Sequence, residues 1–269
     1  MSVLVVGDIH AKPEVWCEID ASAKAVGAER VVCLGDYLDP VWPPLEDEHK
    51  NLVRFRQVIA WAERRGDVTL LLGNHEAGYI DMVREAGRHP EQRDEILSGP
   101  FAHAPAVRAE VEGRRGLFAW AAAAEGWLLS HAGLTCANAR EMGLAADLNA
   151  AAVAVALDKA GWADWVEEPL CSHGGAEELI ADPYPVDQAV GHTAVETCRL
   201  YRGGGSTPSE PRVRLAFCDT MSMCDSEGRR TGDSSFLLLD GGKAWVVHDG
   251  QTITPVFLDA WAEPAWPGL

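Results

Sequence analysis

The chain has 269 residues, 47% of them apolar and 24% charged, with a formal net charge of −18. That is the composition of an ordinary globular protein, long enough to bury a large core, and a single domain over residues 1–269 is expected. The acidity excludes nucleic-acid binding through a basic surface, and no apolar run reaches the roughly eighteen residues of a membrane span.

Seven cysteines, odd in number and without a Cys-x-x-Cys pair, read as reduced thiols of a cytoplasmic protein rather than a disulfide frame. The first apolar stretch, Val3–Val6, is too short for a signal-peptide core and lacks a basic leader.

In chain order, three apolar runs share one pattern. Val3–Val6, Val31–Leu34 and Val68–Leu72 lead into Gly7-Asp8-Ile9-His10, Gly35-Asp36-Tyr37-Leu38-Asp39 and Gly73-Asn74-His75-Glu76. Helical spacing between them predicts helices over Glu14–Val26 and Glu46–Arg65. Continuous apolar strands alternating with helices imply a parallel sheet covered on both faces. Ligands of such sheets bind at the carboxyl ends of the strands, where all three polar motifs sit.

The second half reads differently. Leu117–Ala121 and Trp127–Ser130 predict a hairpin ending at His131, and Ala137–Lys159 a helix in two pieces around Gly143. Val186–Val190 predicts a short strand before Gly191-His192-Thr193. Val213–Cys218, Ser235–Asp240 and Ala244–His248 predict antiparallel strands, the last two joined by Gly241-Gly242.

Asp8, His10, Asp36, Asn74, His131 and His192 thus close separate apolar runs. Any one of them alone reads as a turn residue or a helix cap. Five runs all ending in Asp, Asn or His point instead to a divalent-metal site. Carboxylate, imidazole and amide oxygen are the ligand set for such ions, and no thiol joins them. Bound cations would also let an acidic protein accept a polyanionic substrate.

The set Gly-Asp-Ile-His, Gly-Asp-Tyr-Leu-Asp, Gly-Asn-His-Glu, Ser130-His131-Ala-Gly and Gly191-His192-Thr resembles the calcineurin-like metallophosphoesterases. Trp162-Ala-Asp and Ser172-His-Gly-Gly draw it toward the phosphoprotein-phosphatase branch and its phage and bacterial relatives. The resemblance runs from residue 3 to about residue 240. It implies a four-layer α/β/β/α sandwich of two mixed β-sheets flanked by helices, the hairpins after residue 115 supplying the second sheet.

It also implies two divalent metal ions, with manganese favoured and iron, zinc or nickel as alternatives. Asp8, His10 and Asp36 would hold the first ion, and Asp36 would bridge to a second held by Asn74, His131 and His192. His75 would protonate the leaving oxygen and Asp39 would orient His75. Such a site hydrolyses phosphomonoesters by direct attack of a hydroxide held by the ions. The alternatives are hydrolysis of nucleotides (dinucleoside polyphosphates or cyclic nucleotides) and a catalytically silent metal- or phosphate-binding protein. Partners are accordingly a phosphorylated small molecule, a nucleotide or a phosphoprotein, with no nucleic acid and no membrane.

The sequence departs from that branch at its phosphate-gripping arginines. Pro40 and Leu72 occupy two of the positions, and His173, a candidate substrate-binding residue, a third. Each lost charge-assisted contact is worth roughly 1.5–3 kcal/mol. Ala194 stands where phosphodiesterase members carry a further histidine ligand. Glu76 is expected to cap or brace the next helix.

Overall fold

Val3, Leu4, Val5 and Val6 are all fully buried, so the strand they form (β1, Val3–Val6) has to be covered on both faces. Its side chains divide by alternation. Leu4 and Val6 enter a core shared with helices, and Val3 and Val5 enter a core shared with a second sheet. The computed structural model describes residues 1–10, 12, 15–39, 48–80, 105–163, 175–204, 212–222, 231–255 and 257–259.

Around β1, the first sheet holds β2 (Arg30–Cys33), β3 (Val68–Leu71) and β4 (Phe118–Ala119) on one side, all parallel to it. On the other side lie β10 (Phe236–Asp240), β11 (Lys243–His248) and β12 (Gln251–Ile253), each antiparallel to its neighbour. The second sheet runs in the order β13-β8-β9-β7-β6-β5. Its members are β5 (Ala121–Ala124), β6 (Trp127–Ser130), β7 (Asp187–Ala194), β8 (Arg199–Gly203), β9 (Val213–Asp219) and β13 (Phe257–Asp259). Strands β6, β7 and β9 are mutually parallel, so their carboxyl ends share one edge.

Helices close the outer faces. Helix α1 (Val15–Val26) buries Val15, Ile19 and Ala23, a stripe at fourfold spacing. Helix α2 (Glu48–Arg65) buries Leu52, Phe55 and Ile59 in the same core, and Trp16 stacks on Trp61 to lock the two together. Two short helices, α3 (Asn74–Tyr79) and α4 (Pro105–Gly113), add Tyr79, Val107 and Val111 to that layer. Beyond the second sheet lie α5 (Cys136–Glu141), α6 (Ala150–Ala163) and α7 (Gly175–Ala181), contributing Ala139, Val153, Leu157 and Leu179. The result is two mixed sheets face to face with helices outside, the expected four-layer sandwich.

The second cover of the parallel strands is the other sheet, which is why β1 and β2 are apolar on both faces. Several expectations need correction. The hairpin before His131 begins at Ala121, because Phe118–Ala119 pairs with β3 in the first sheet. An all-alanine strand carries little hydrophobic contrast for a sequence reading to find. Strands β10 and β11 join the first sheet, not the second, since β10 pairs with β1. Strand β9 is antiparallel only to β8 and parallel to β7. The two-piece helix is correct, with residues 142–149 between the pieces and Gly143 at φ +69°. Pro40 and residues 172–174 of the Ser172-His-Gly-Gly stretch, His173 among them, lie outside the described residues.

Candidate metal centre

The polar motifs meet where the carboxyl ends of the two sheets converge. Asp8 follows β1, Asp36 and Asp39 lie in the loop after β2, Asn74 opens α3 after β3, and His131 follows β6. His192 sits inside β7, not beyond its end as expected. The register between β7 and β9 shifts between Val190 and Ala194. His192 occupies that irregularity with φ +58°, and a bulge of this kind re-aims a side chain without ending the strand.

Close approach fixes the glycines of the motifs. A Cβ on Gly191 would lie 2.1 Å from Asp8 Oδ1, and one on Gly73 would lie 2.1 Å from Asp36 Oδ1. Neither position has room for a side chain.

Asp8, His10, Asp36, Asp39, Asn74 and His131 are each at most 5% exposed. Asp36 Oδ2 lies 3.5 Å from His131 Nε2, 3.7 Å from His10 Nε2 and 3.8 Å from His75 Nε2. Asp8 reaches His10 Nε2 and His131 Nδ1, each at 3.9 Å. His131 Nε2 is 2.8 Å from Asn74 Oδ1, and His192 Nδ1 lies 3.1 Å from the same oxygen and 3.2 Å from His131 Nε2. Two groups of donor atoms stand within cation reach, His10–Asp36–His75 and Asp8–Asp36–His131, with Asp36 in both.

Hydrogen bonding on the far side of each ring decides what these imidazoles present. His10 Nδ1 faces the Asp39 carbonyl at 2.8 Å, and His131 Nδ1 faces the Leu34 carbonyl at 3.0 Å. A carbonyl only accepts, so each Nδ1 carries the hydrogen and each Nε2 turns a lone pair toward carboxylate oxygen. Burial also pulls the pKa of both rings down, that of His131 to about 4, so both are neutral at pH 7. Lone pairs facing lone pairs is the arrangement that a bound cation resolves, and a backbone carbonyl behind the ring is the usual support of a metal-binding histidine.

The carboxylates respond to the same imbalance. Burial, Asp219 and Asp36 push Asp8 above the ordinary carboxylate range. Burial acts on Asp36 in the same direction, but His131, His75 and His10 outweigh it and hold the group well below that range.

His75 differs from the other rings. Its Nδ1 faces a carboxylate, Asp39 Oδ2 at 3.1 Å, and its backbone N–H donates to Asp36 Oδ1 at 3.0 Å. Burial lowers its pKa, yet the charges of Asp36 and Asp39 and the bond to Asp39 raise it to about 9. Asp39 is itself fixed. Its Oδ1 accepts from Asn51 Nδ2 at 2.6 Å and from Tyr79 Oη at 2.7 Å, and its N–H donates to Asn51 Oδ1 at 3.0 Å.

Glu76 braces more than the helix it begins. Its two oxygens accept from the backbone N–H groups of Asp36, Tyr37, Leu38 and Gly73 at 2.8–3.2 Å, so it holds the whole Asp36 loop.

From residue 1 to residue 247 the sequence matches the family described as calcineurin-like phosphoesterase. The chain belongs to that family. No curated protein matches it in sequence. Among solved structures, a cold-active protein-tyrosine phosphatase of a psychrophilic Shewanella is 15% identical with a TM-score of 0.47, covering 94% of this chain and 80% of that one. A metallophosphoesterase from Sphaerobacter thermophilus is 14% identical with a TM-score of 0.40, covering 94% and 88%.

This calcineurin-like phosphoesterase, and hence hydrolase, places Leu72 wholly inside the helix-side core. No cation could stand there without opening that core. Sequence reasoning missed Asn51, Tyr79 and Asp219. Asn51 was visible as a polar residue on the buried stripe of α2, one turn before Phe55. Asp219 closes the apolar run of β9 just as Asp8 closes that of β1, a sixth instance of the same pattern.

Proposed function

We propose that this chain is a two-metal phosphoesterase acting on phosphomonoesters. The reading rests above all on Asp36, whose Oδ2 lies within 3.8 Å of three imidazole nitrogens and which belongs to both candidate metal groups. Asp8 and His10 would complete the side of the first cation, and Asn74, His131 and His192 that of the second. The all-nitrogen-and-oxygen donor set suits manganese, with iron, zinc or nickel as the alternatives. When bound, two such ions supply activation of a water and charge neutralisation of phosphate oxygens.

The protein's own groups do the rest. Neutral His10 and His131 keep their lone pairs available because backbone carbonyls hold their Nδ1 hydrogens. Asp39, clamped by Asn51 and Tyr79, holds His75 by Nδ1 and leaves Nε2 facing the site. There it can deliver a proton to a departing oxygen, a contribution typically worth 10²–10⁴-fold in rate. The preference for monoesters follows from the resemblance to the phosphatase branch.

The test is turnover of an aryl phosphate by metal-stripped protein reconstituted with manganese, beside the matching aryl diester. Wild type should bind two ions and hydrolyse the monoester. Asp36→Asn should lose both metal binding and turnover, and His75→Asn should keep the metal while losing about 10²-fold or more in kcat. Protein that holds two ions yet turns over no phosphoester would reject the enzymatic reading.

A further inference from the structure

Asp219 is a buried carboxylate that the ligand set leaves unused. It ends β9 and is 1% exposed. Three contacts bind its segment to the strand ends that carry the site. A Cβ on Gly7, the residue before Asp8, would lie 2.8 Å from Asp219 Cα. Across the sheet, Asp219 is in register with Ala194, two residues past His192, and its carbonyl accepts from Val195 N–H at 2.7 Å. Lys12, two residues past His10, donates from Nζ to the carbonyl of Met221.

The carboxylate itself is half-satisfied. Oδ1 accepts both the N–H of Ser222 at 3.1 Å and its hydroxyl at 2.6 Å. Among the described residues, Oδ2 accepts no hydrogen bond. An ionised side chain on a residue this deeply buried costs free energy unless positive charge stands nearby. Among the described residues no ion pair joins this carboxylate, and the ammonium of Lys12 is placed at the Met221 carbonyl. Asp219 does not fall within the close groups of donor atoms around Asp36.

We infer that Asp219 is a positioning residue for the first cation: a fixed negative charge behind Asp8 and His10 that raises cation affinity without ligating. This rests on the two-metal reading above. Outer carboxylates of metal sites typically contribute 10–100-fold in affinity.

Asp219→Asn tests it, because the amide keeps an oxygen for Ser222 and removes only the charge. Manganese binding to metal-stripped protein, followed by calorimetry and by the electron paramagnetic resonance of the coupled pair, should show one of two sites weakened about 10-fold or more. Thermal unfolding of the metal-free variant should occur at or above the wild-type midpoint, since a like charge beside Asp8 has gone. Ser222→Ala, which keeps the charge and loses the hydroxyl bond, should bind manganese as wild type does. Two sites of wild-type affinity in Asp219→Asn, or equal weakening in Ser222→Ala, would overturn the inference while leaving the two-metal reading intact. Wild-type protein that binds no manganese would overturn both.

Discussion

Glu76→Gln changes one atom of a fully buried side chain and should damage the fold out of proportion to that change. In the native protein Oε2 accepts from Asp36 N at 2.8 Å and Gly73 N at 3.2 Å, and Oε1 accepts from Tyr37 N at 2.8 Å and Leu38 N at 3.1 Å. Glutamine has one acceptor oxygen, so whichever pair it serves, the other pair meets an NH2 group. Two buried backbone donors then lose their partner, at roughly 1–3 kcal/mol each. The expected loss is therefore roughly 2–6 kcal/mol, a large part of the 5–15 kcal/mol typical of a folded domain. Urea unfolding of metal-stripped protein measures it, with Glu63→Gln on the exposed face of α2 as the control, expected within about 0.5 kcal/mol of wild type. If Glu76→Gln unfolds at the control's midpoint, the four N–H bonds do not hold the Asp36 loop and the reasoning fails.

Gly191→Ala would set a methyl group 2.1 Å from Asp8 Oδ1. The carboxylate must give way, and titration with manganese should show the first site lost while circular dichroism stays native. Gly113→Ala, with open space around it, should change neither. In metal-stripped protein His75 has a pKa of about 9 against an ordinary 6.5, so its protonated form stabilises the fold. That contribution is complete below pH 6.5 and is lost as pH rises through 9, and it amounts to about 3 kcal/mol. The stability gap between wild type and His75→Gln should accordingly be widest near pH 6 and closed by about pH 10; a gap independent of pH would refute the His75–Asp39 pairing.

What the sequence made legible was the repeated pattern of an apolar run closing on a metal-type donor. Asp8, His10, Asp36, Asn74 and His131 are where that pattern placed them, because a both-faces-buried strand announces itself in composition and its carboxyl end follows directly. Two kinds of information were hidden. Sheet membership was one: nothing in Phe236–Asp240 says that it pairs with β1 instead of the second sheet, since that choice is made by packing between distant segments. The supports were the other. Asn51, Tyr79 and Glu76 act through hydrogen bonds to backbone or carboxylate, 38 to 40 residues away in the case of Glu76 and the Asp36 loop, or 12 in that of Asn51. Such a bond leaves no periodicity to read.

Those supports explain how the site tolerates its own backbone. His10, Asp36, Asp39 and His192 stand at φ between +44° and +58°, a region that costs a residue with a side chain of order 1–3 kcal/mol. In each of the four the N–H is pinned: His10 to the Asp36 carbonyl at 2.7 Å, Asp36 to Glu76 at 2.8 Å, Asp39 to Asn51 at 3.0 Å and His192 to Asp8 at 3.0 Å. The pins link to one another. Asp8 orders His192, Asp36 orders His10, and Asp39 orders both His10, through its carbonyl, and His75, through its carboxylate. A loop held this way has its donors in place before any cation arrives, so the strain is met by protein hydrogen bonds and not by metal binding. Cation affinity is then free to depend on charge, which is why a single neutralised carboxylate behind the first site should register as weaker binding and not as a misfolded loop.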